Sequence, residues 1–337
     1  MTSSSPPTRT WGPTAKTLGA LAVVGLVIAF SLSSTLVKRA ESPGVLVAFW
    51  RMTTVAVLWN AYLWITGRRV TMRHVRQACV PGVFFGLNLA AFFSGATHNS
   101  VANAALIGSL SPFLIVPIGA RLFREYFNSR ALLFALLAFG GTAIVLLNAP
   151  SRGDASIQGN VFGMLAMFLW VSYVVSTRHF RRDMDVATFM ATVSPIAALA
   201  VLPLAIAHGN VFGLSGRGWF YTLVLTFLIG VAGHGLMVYA QKAIQIGTIG
   251  IAQVAQPALA VVWSFLLLGE RINHRQMLGI AIVMSCLLAF LVLNQRGGRS
   301  PRTEATREHS PSVRPAERKG LAADPQDLSL RRLEPPP

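Results

Sequence analysis

Most side chains that could do chemistry lie outside the apolar runs of this chain, so the few inside them are the informative ones. His234, between Gly233 and Gly235, is the only histidine deep inside such a run. An imidazole there can line a polar cavity, carry a proton near neutral pH, or rest neutral against a backbone carbonyl. A displacement of 145 residues carries it onto Leu89, beside Asn88. Two corresponding runs thus hold a polar group at similar depth, which points to cavity lining. Pro112 and Pro257 are also 145 apart, each with polar company: Ser109 and Ser111 around the first, Gln253 and Gln256 before the second. A proline inside a helix frees the carbonyl four residues earlier, here those of Gly108 and Gln253. In lipid a freed carbonyl must face protein or a wet cavity, so these segments could line a path or form kinks satisfied by neighbours.

Trp170 and Tyr173 are three apart, on one helix face, and could stack on a flat ligand or anchor packing. Arg51 is central in its run, and no run contains an acidic residue to pair with it. It could snorkel, cap a helix end or meet an anionic ligand; Phe49 and Trp50 beside it favour a structural role. Glu125 and Glu270 close their runs beside Arg124 and Arg271, which suits ion pairing or helix-end contacts better than ion coupling. Cys79 and Cys286 are far apart in apolar runs and form neither a disulfide nor a metal pair. No HExxH or GxSxG pattern is present, so the chain is read as neither an enzyme nor a holder of metal or cofactor.

The elements that must position these groups follow from composition. Hydrophobic residues make up 53% of the chain and charged residues 12%, about half the charge share of a soluble domain. Of the 12 acidic residues, half fall after position 294 and the rest in or beside short polar breaks. Runs of about 20 apolar residues suffice to cross a bilayer. They are read over 17–37, 43–66, 77–97, 100–121, 131–149, 158–177, 186–207, 219–241, 247–268 and 276–294. The expected fold is therefore all-α and integral to the membrane, with ten transmembrane helices. The first run is too long, and lacks a clear small-residue cleavage site, for a cleaved signal peptide.

The net charge of +17 would suggest nucleic acid in a soluble chain. Here the basic residues border apolar runs, which excludes a nucleic-acid partner and fits the positive-inside rule. With the N-terminus in the cytoplasm, 22 Lys and Arg fall inside and 6 outside. Both termini are thus expected in the cytoplasm of a cell with a bacterial-type inner membrane. Residues 295–337, rich in Pro, Ser, Arg and Glu, read as a disordered tail.

The 145-residue displacement also pairs Glu125 with Glu270 and Arg130 with Arg275, and one of 140 pairs Phe30 with Trp170 and Lys38 with Arg178. The layout is a short tail (1–16), one five-helix repeat (17–149), a second (158–294) and the C-terminal tail. Five is odd, so the copies enter the membrane in opposite orientations, a signature of carriers that bind ligand near the midplane. Gly82 with Gly86, and Gly159 with Gly163, have the spacing of close helix packing.

Two five-helix units, a mid-run proline and the segment VVWSFLLLGERIN resemble the EamA-like branch of the drug/metabolite transporter superfamily. The resemblance spans about 17–294 and is closer in the second copy. The first has Phe-Arg-Glu at 123–125 against Leu-Gly-Glu at 268–270, and Phe30 against Trp170. Arg51, in AFWRMTTVAVL, matches a second-helix arginine common in that family, which favours its structural reading. The resemblance implies a central cavity between the halves and carriage, with export the favoured direction, of small organic solutes. Partners are then the substrate, the bilayer and, as a candidate, a second copy of the chain. A membrane-embedded enzyme and a scaffold acting through the basic tail are the rival classes.

Overall fold

A computed structural model describes residues 13–98, 107–125, 129–148, 156–181, 184–268 and 272–296, and all regular structure among them is helical. Helix α1 spans Pro13–Ser31 and resumes over Ser33–Ala40. It is followed by α2 (Gly44–Ile65), α3 (Met72–His98), α4 (Ser111–Phe123), α5 (Ser129–Leu147), α6 (Ile157–Phe180) and α7 (Val186–Ala207). Helix α8 passes from Gly216–Leu225 through a π-helical stretch, Thr226–Gly233, into His234–Ala243. Helix α9 joins Ile246–Ala252, a 3-10 turn at Gln253–Ala255, and Gln256–Leu268; α10 is His274–Arg296.

Seven of these, α1, α2, α3, α6, α7, α8 and α9, are long and apolar enough to cross a membrane. The apolar stretches of α4, α5 and α10 (Ser111–Phe123, Leu132–Leu147 and His274–Phe290) are shorter. Residues 1–12 and 297–337, most of the two expected tails, lie outside the described residues, as do Glu270 and Arg271. Self-contained helices suit these runs because hydrocarbon offers backbone amides no partners. Polar residues start several of them: Ser156, Asp185 and Ser215 accept from the amides of Gly159, Thr188 and Gly218. Large apolar side chains such as Leu21, Val57, Leu199 and Leu288 stay exposed on the outside of the bundle, where lipid replaces water.

Contacts between helix ends sort the bundle into two ends. At one, Arg217 pairs with Glu41 at 2.8 Å, joining the start of α8 to the end of α1. Arg39 donates to the carbonyl of Leu267 at 2.6 Å, bringing in the end of α9. Ser156 likewise joins the start of α6 to the carbonyl of His98 at the end of α3. At the opposite end, Arg68 pairs with Asp185 at 2.8 Å across α2 and α7, and Arg178 of α6 donates to the carbonyl of Gln241 in α8. Small residues permit close crossings. Gly86 lets α3 approach the α7 backbone at Ala197 so closely that any side chain would collide.

Candidate functional site

A cavity of about 170 Å³ opens between the helices at mid-span, and four helices that line it lose regular α-geometry at its level. Helix α1 breaks at Leu32, between two segments. Helix α4 begins at Ser111 after a turn at Ser109 and Leu110. Helix α8 widens into the π-helical stretch that ends just before His234, and α9 tightens into its 3-10 turn. Such irregular backbone is tolerated in a membrane protein where it faces protein or a cavity, and π-stretches often accompany functional positions.

Pro112 and Pro257 stand at the starts of helical segments. Each is the second residue of a fresh α-segment, Ser111–Phe123 or Gln256–Leu268. Proline suits the first turn because its missing N–H is not needed there and its φ is already helical. The carbonyl of Gln253, freed by Pro257, accepts instead from the amide of Gln256. The next carbonyl, of Val254, accepts from Thr142 Oγ1 on α5 at 2.9 Å.

Both prolines line the cavity, as do Ser109 and Ser111 beside the first and Gln253 and Gln256 beside the second. Asn88, Trp170, His234 and Arg51 complete the expected residues brought together there. Asn88 also ties α3 to α6 by donating to the carbonyl of Ala166 at 2.8 Å. Tyr173 is not among the lining residues and takes the packing role, the other of its two readings. It is fully buried and stacks on Phe85 of α3, with centroids 4.5 Å apart and planes 12° from parallel. Three residues of helix turn it by about 60° from Trp170, enough to face α3 instead of the opening.

Ser31, Ser33 and Ser34 of α1, not among the residues expected from the sequence, also line the cavity. Three serines around one leucine in an apolar run were a readable sign of the break. Ser31 accepts from Trp263 Nε1 at 2.8 Å, joining the two halves. Phe30, seen only as the counterpart of Trp170, meets that residue edge to face at 5.9 Å. The His234 ring lies against Phe30, Phe85 and Trp170, at 4.7, 4.5 and 6.1 Å between centroids.

The lining is asymmetric along the bundle axis. It uses the later half of α3, from Asn88 to Ala96, and the earlier half of α6, from Gly163 to Trp170. It therefore extends from mid-span toward the end where α3 finishes and α6 starts. The opposite end is tied by Glu125, buried just past the end of α4, whose carboxylate accepts from the amides of Ile246 at 2.9 Å and Gly247 at 3.2 Å. These are the first amides of α9, where a carboxylate complements the helix dipole. Burial raises the Glu125 carboxyl above its ordinary 4.5, against the opposing pull of those two amides and of Arg178.

The geometry is that of a small chamber between helices from both halves of the chain. A model of the EamA-like transporter family matches residues 17–147 and again 157–292. The chain belongs to the EamA-like transporter family. It is a multi-pass membrane protein of a transporter fold, and its membership makes a small-molecule substrate part of its setting. Relatives agree at low identity. An uncharacterized transporter, YxxF of Bacillus subtilis (strain 168), is 21% identical over 248 residues, 71% of this chain and 79% of that one. The pseudopaline exporter CntI of Pseudomonas aeruginosa (strain UCBPP-PA14) is 26% identical over 192 residues, covering 55% of this chain and 66% of CntI. One crystal structure superposes with a TM-score of 0.67 at 21% identity, over 83% of this chain and 98% of that chain, a likeness of fold.

Proposed function

We propose that this EamA-like protein is a secondary carrier of small organic metabolites that works by alternating access, with export as its direction. The observation that carries the reading is the mid-span chamber, into which both halves send a proline-initiated helix and polar side chains. The two family matches also begin at opposite ends of the bundle. The first starts with α1, which finishes where α6, opening the second, begins. Rocking one half against the other would move the opening from one end to the other. In this structure the chamber reaches toward one end while Glu125, Arg178 and their partners tie the other. Export is favoured by the family resemblance and by the exporter among the relatives. In the same reading the protein resides in a bacterial-type inner membrane with both termini in the cytoplasm, and the tail beyond 294 takes no part in the carrier cycle.

Metabolite levels in cells lacking and overproducing the protein should name candidate substrates, and vesicle uptake of the leading one should then be saturable. His234→Ala should lower that uptake about tenfold, as expected for a group lining the path. An unchanged rate and pH profile in this variant would remove His234 from the site. Purified protein in liposomes that moves no solute down or against a gradient would overturn the carrier reading itself.

A further inference from the structure

Arg51 is only 1% exposed, lies in the wall of the chamber, and finds no hydrogen-bond acceptor for Nε or Nη2. Its guanidinium sits over the Phe93 ring at 5.6 Å. A ring beneath the guanidinium plane attracts the charge but leaves the N–H groups, which lie in that plane, unused. A buried cation with open donors is costly to maintain unless something completes it. Among the described residues, the other buried, unpartnered nitrogens around the chamber are Nε2 of Gln253, Nε2 of Gln256 and Nδ1 of His234. Among the described residues, no aspartate or glutamate lines it.

From this surplus of donors, we infer that the solute carries a carboxylate, held by the fork of Arg51 and oriented by Gln253 and Gln256, on a small apolar or aromatic body. The guanidinium fork matches the two oxygens of a carboxylate. Phe30, Phe92 and Trp170 form the wall against which the body rests. The chamber of about 170 Å³ falls below the several hundred Å³, about 300 or more, that drug-sized ligands occupy, so the body is that of a small metabolite. The inference rests on the chamber being the carrier's binding site.

The test uses purified full-length protein and two size-matched sets of probes in isothermal titration calorimetry. One set is phenylacetate, phenylacetamide and 2-phenylethylamine; the other is isovalerate, isovaleramide and isoamylamine. In at least one set the carboxylate should bind about tenfold or more tightly than its amide and amine, the scale of a charge-assisted hydrogen bond. Arg51→Gln should erase that preference, and Arg51→Lys should restore part of it, having charge without the fork. The inference is overturned if neither carboxylate binds, if an amide or amine equals its carboxylate, or if the preference survives Arg51→Gln. Should that variant not fold, the comparison within the native protein still decides. Repeating the titration in phosphatidylglycerol nanodiscs identifies the source of the oxyanion, since a preference abolished there assigns Arg51 to a lipid headgroup and overturns the solute proposal. Liposome flux separates this inference from the carrier reading. Carboxylate binding without flux keeps the anion site and sinks the carrier; flux of amine or amide without carboxylate keeps the carrier and sinks the anion site.

Discussion

Two buried arginines in this molecule differ in their backbone partners: Arg181 leaves only Nε without an acceptor, Arg51 both Nε and Nη2. Arg181, just past the end of α6, donates to the carbonyls of Val238 at 2.6 Å and Met184 at 3.4 Å, and lies over the Phe189 ring at 5.6 Å. Arg51 has the same distance to its own ring, Phe93, yet no carbonyl answers it. The difference follows from position along the helices. Near helix ends and connections, carbonyl oxygens are free of the i to i+4 ladder or have a lone pair to spare. Arg51 lies inside the unbroken α2, where the ladder engages the carbonyls, and the surrounding side chains are aromatic, amide or hydroxyl. Burial lowers Arg181 to about 10, so it stays protonated at neutral pH and its role is to fasten α6 to α8. Arg51 makes no such tie through Nε or Nη2, and under the carboxylate proposal these groups meet what enters the chamber.

The sharpest way to break this contrast is to remove both charges. Arg181→Met should cost about 2–3 kcal/mol of stability, the scale of hydrogen bonds to a charged group. Arg51→Met should be neutral or stabilising by up to about 4 kcal/mol, since replacing an uncompensated buried charge with an apolar side chain relieves its desolvation. The same Arg51→Met change should abolish uptake, while Arg181→Met protein that remains folded should keep it. Thermal unfolding in detergent together with vesicle uptake reads both. Equal stability losses in the two variants would erase the distinction.

A smaller effect belongs to Glu125, another buried charge that, like Arg181, is served by backbone. Glu125→Leu removes the cap of α9 and should cost about 1–2 kcal/mol. Glu125→Gln keeps an acceptor but removes the titration. Because the folded carboxyl is raised above 4.5, the folded state holds the extra proton just above that value. Stability should therefore fall as pH rises from 4.5 through the raised value, then level off. Subtracting the Glu125→Gln unfolding curve from the parent's isolates this slope, and a slope of opposite sign would contradict the assignment.

The smallest effect is expected where solvent does the serving. Arg68 and Asp185 form a half-exposed pair. Burial opposes ionisation of Asp185, but hydrogen bonds from Thr188 and Arg68 and the charge of Arg68 together hold its carboxyl below the usual 3.8. Its contribution is present at neutral pH and is lost as pH falls through that depressed value. Arg68→Ala should cost under about 1 kcal/mol, less at high salt. A loss as large as that of Arg181→Met would mean this end of the bundle is far drier than its exposure implies.

Much of this arrangement was legible beforehand, and for a definite reason. A polar side chain inside a run of 20 apolar residues is conspicuous because hydrocarbon penalises it. Asn88, His234, the serines before Pro112 and the glutamines before Pro257 therefore stood out, and they all line one chamber. The spacing of Trp170 and Tyr173 left ligand contact and packing open, and a shared helix face is wide enough for Tyr173 to pack on Phe85 while Trp170 turns to the opening. The break in α1 is marked in the sequence only by its serines, and the π-stretch in α8 by no proline at all. For Arg51 the sequence leaves a structural role and contact with an anionic ligand both open; it lies in the chamber wall with Nε and Nη2 unpartnered.

What the sequence by itself determined was the all-helical membrane fold, the doubled family pattern and the inventory of intramembrane polar groups. Hydrocarbon imposes these through length and composition, which are local properties of the chain. Only the tertiary structure decided which of those groups share one space and which buried charges are already answered. Glu125 meets the amides of Ile246 and Gly247, and Arg181 the carbonyl of Val238, all far away along the chain. No run of residues records that Arg51 lacks such a partner, because satisfaction of a buried charge is a property of its surroundings and not of its own helix.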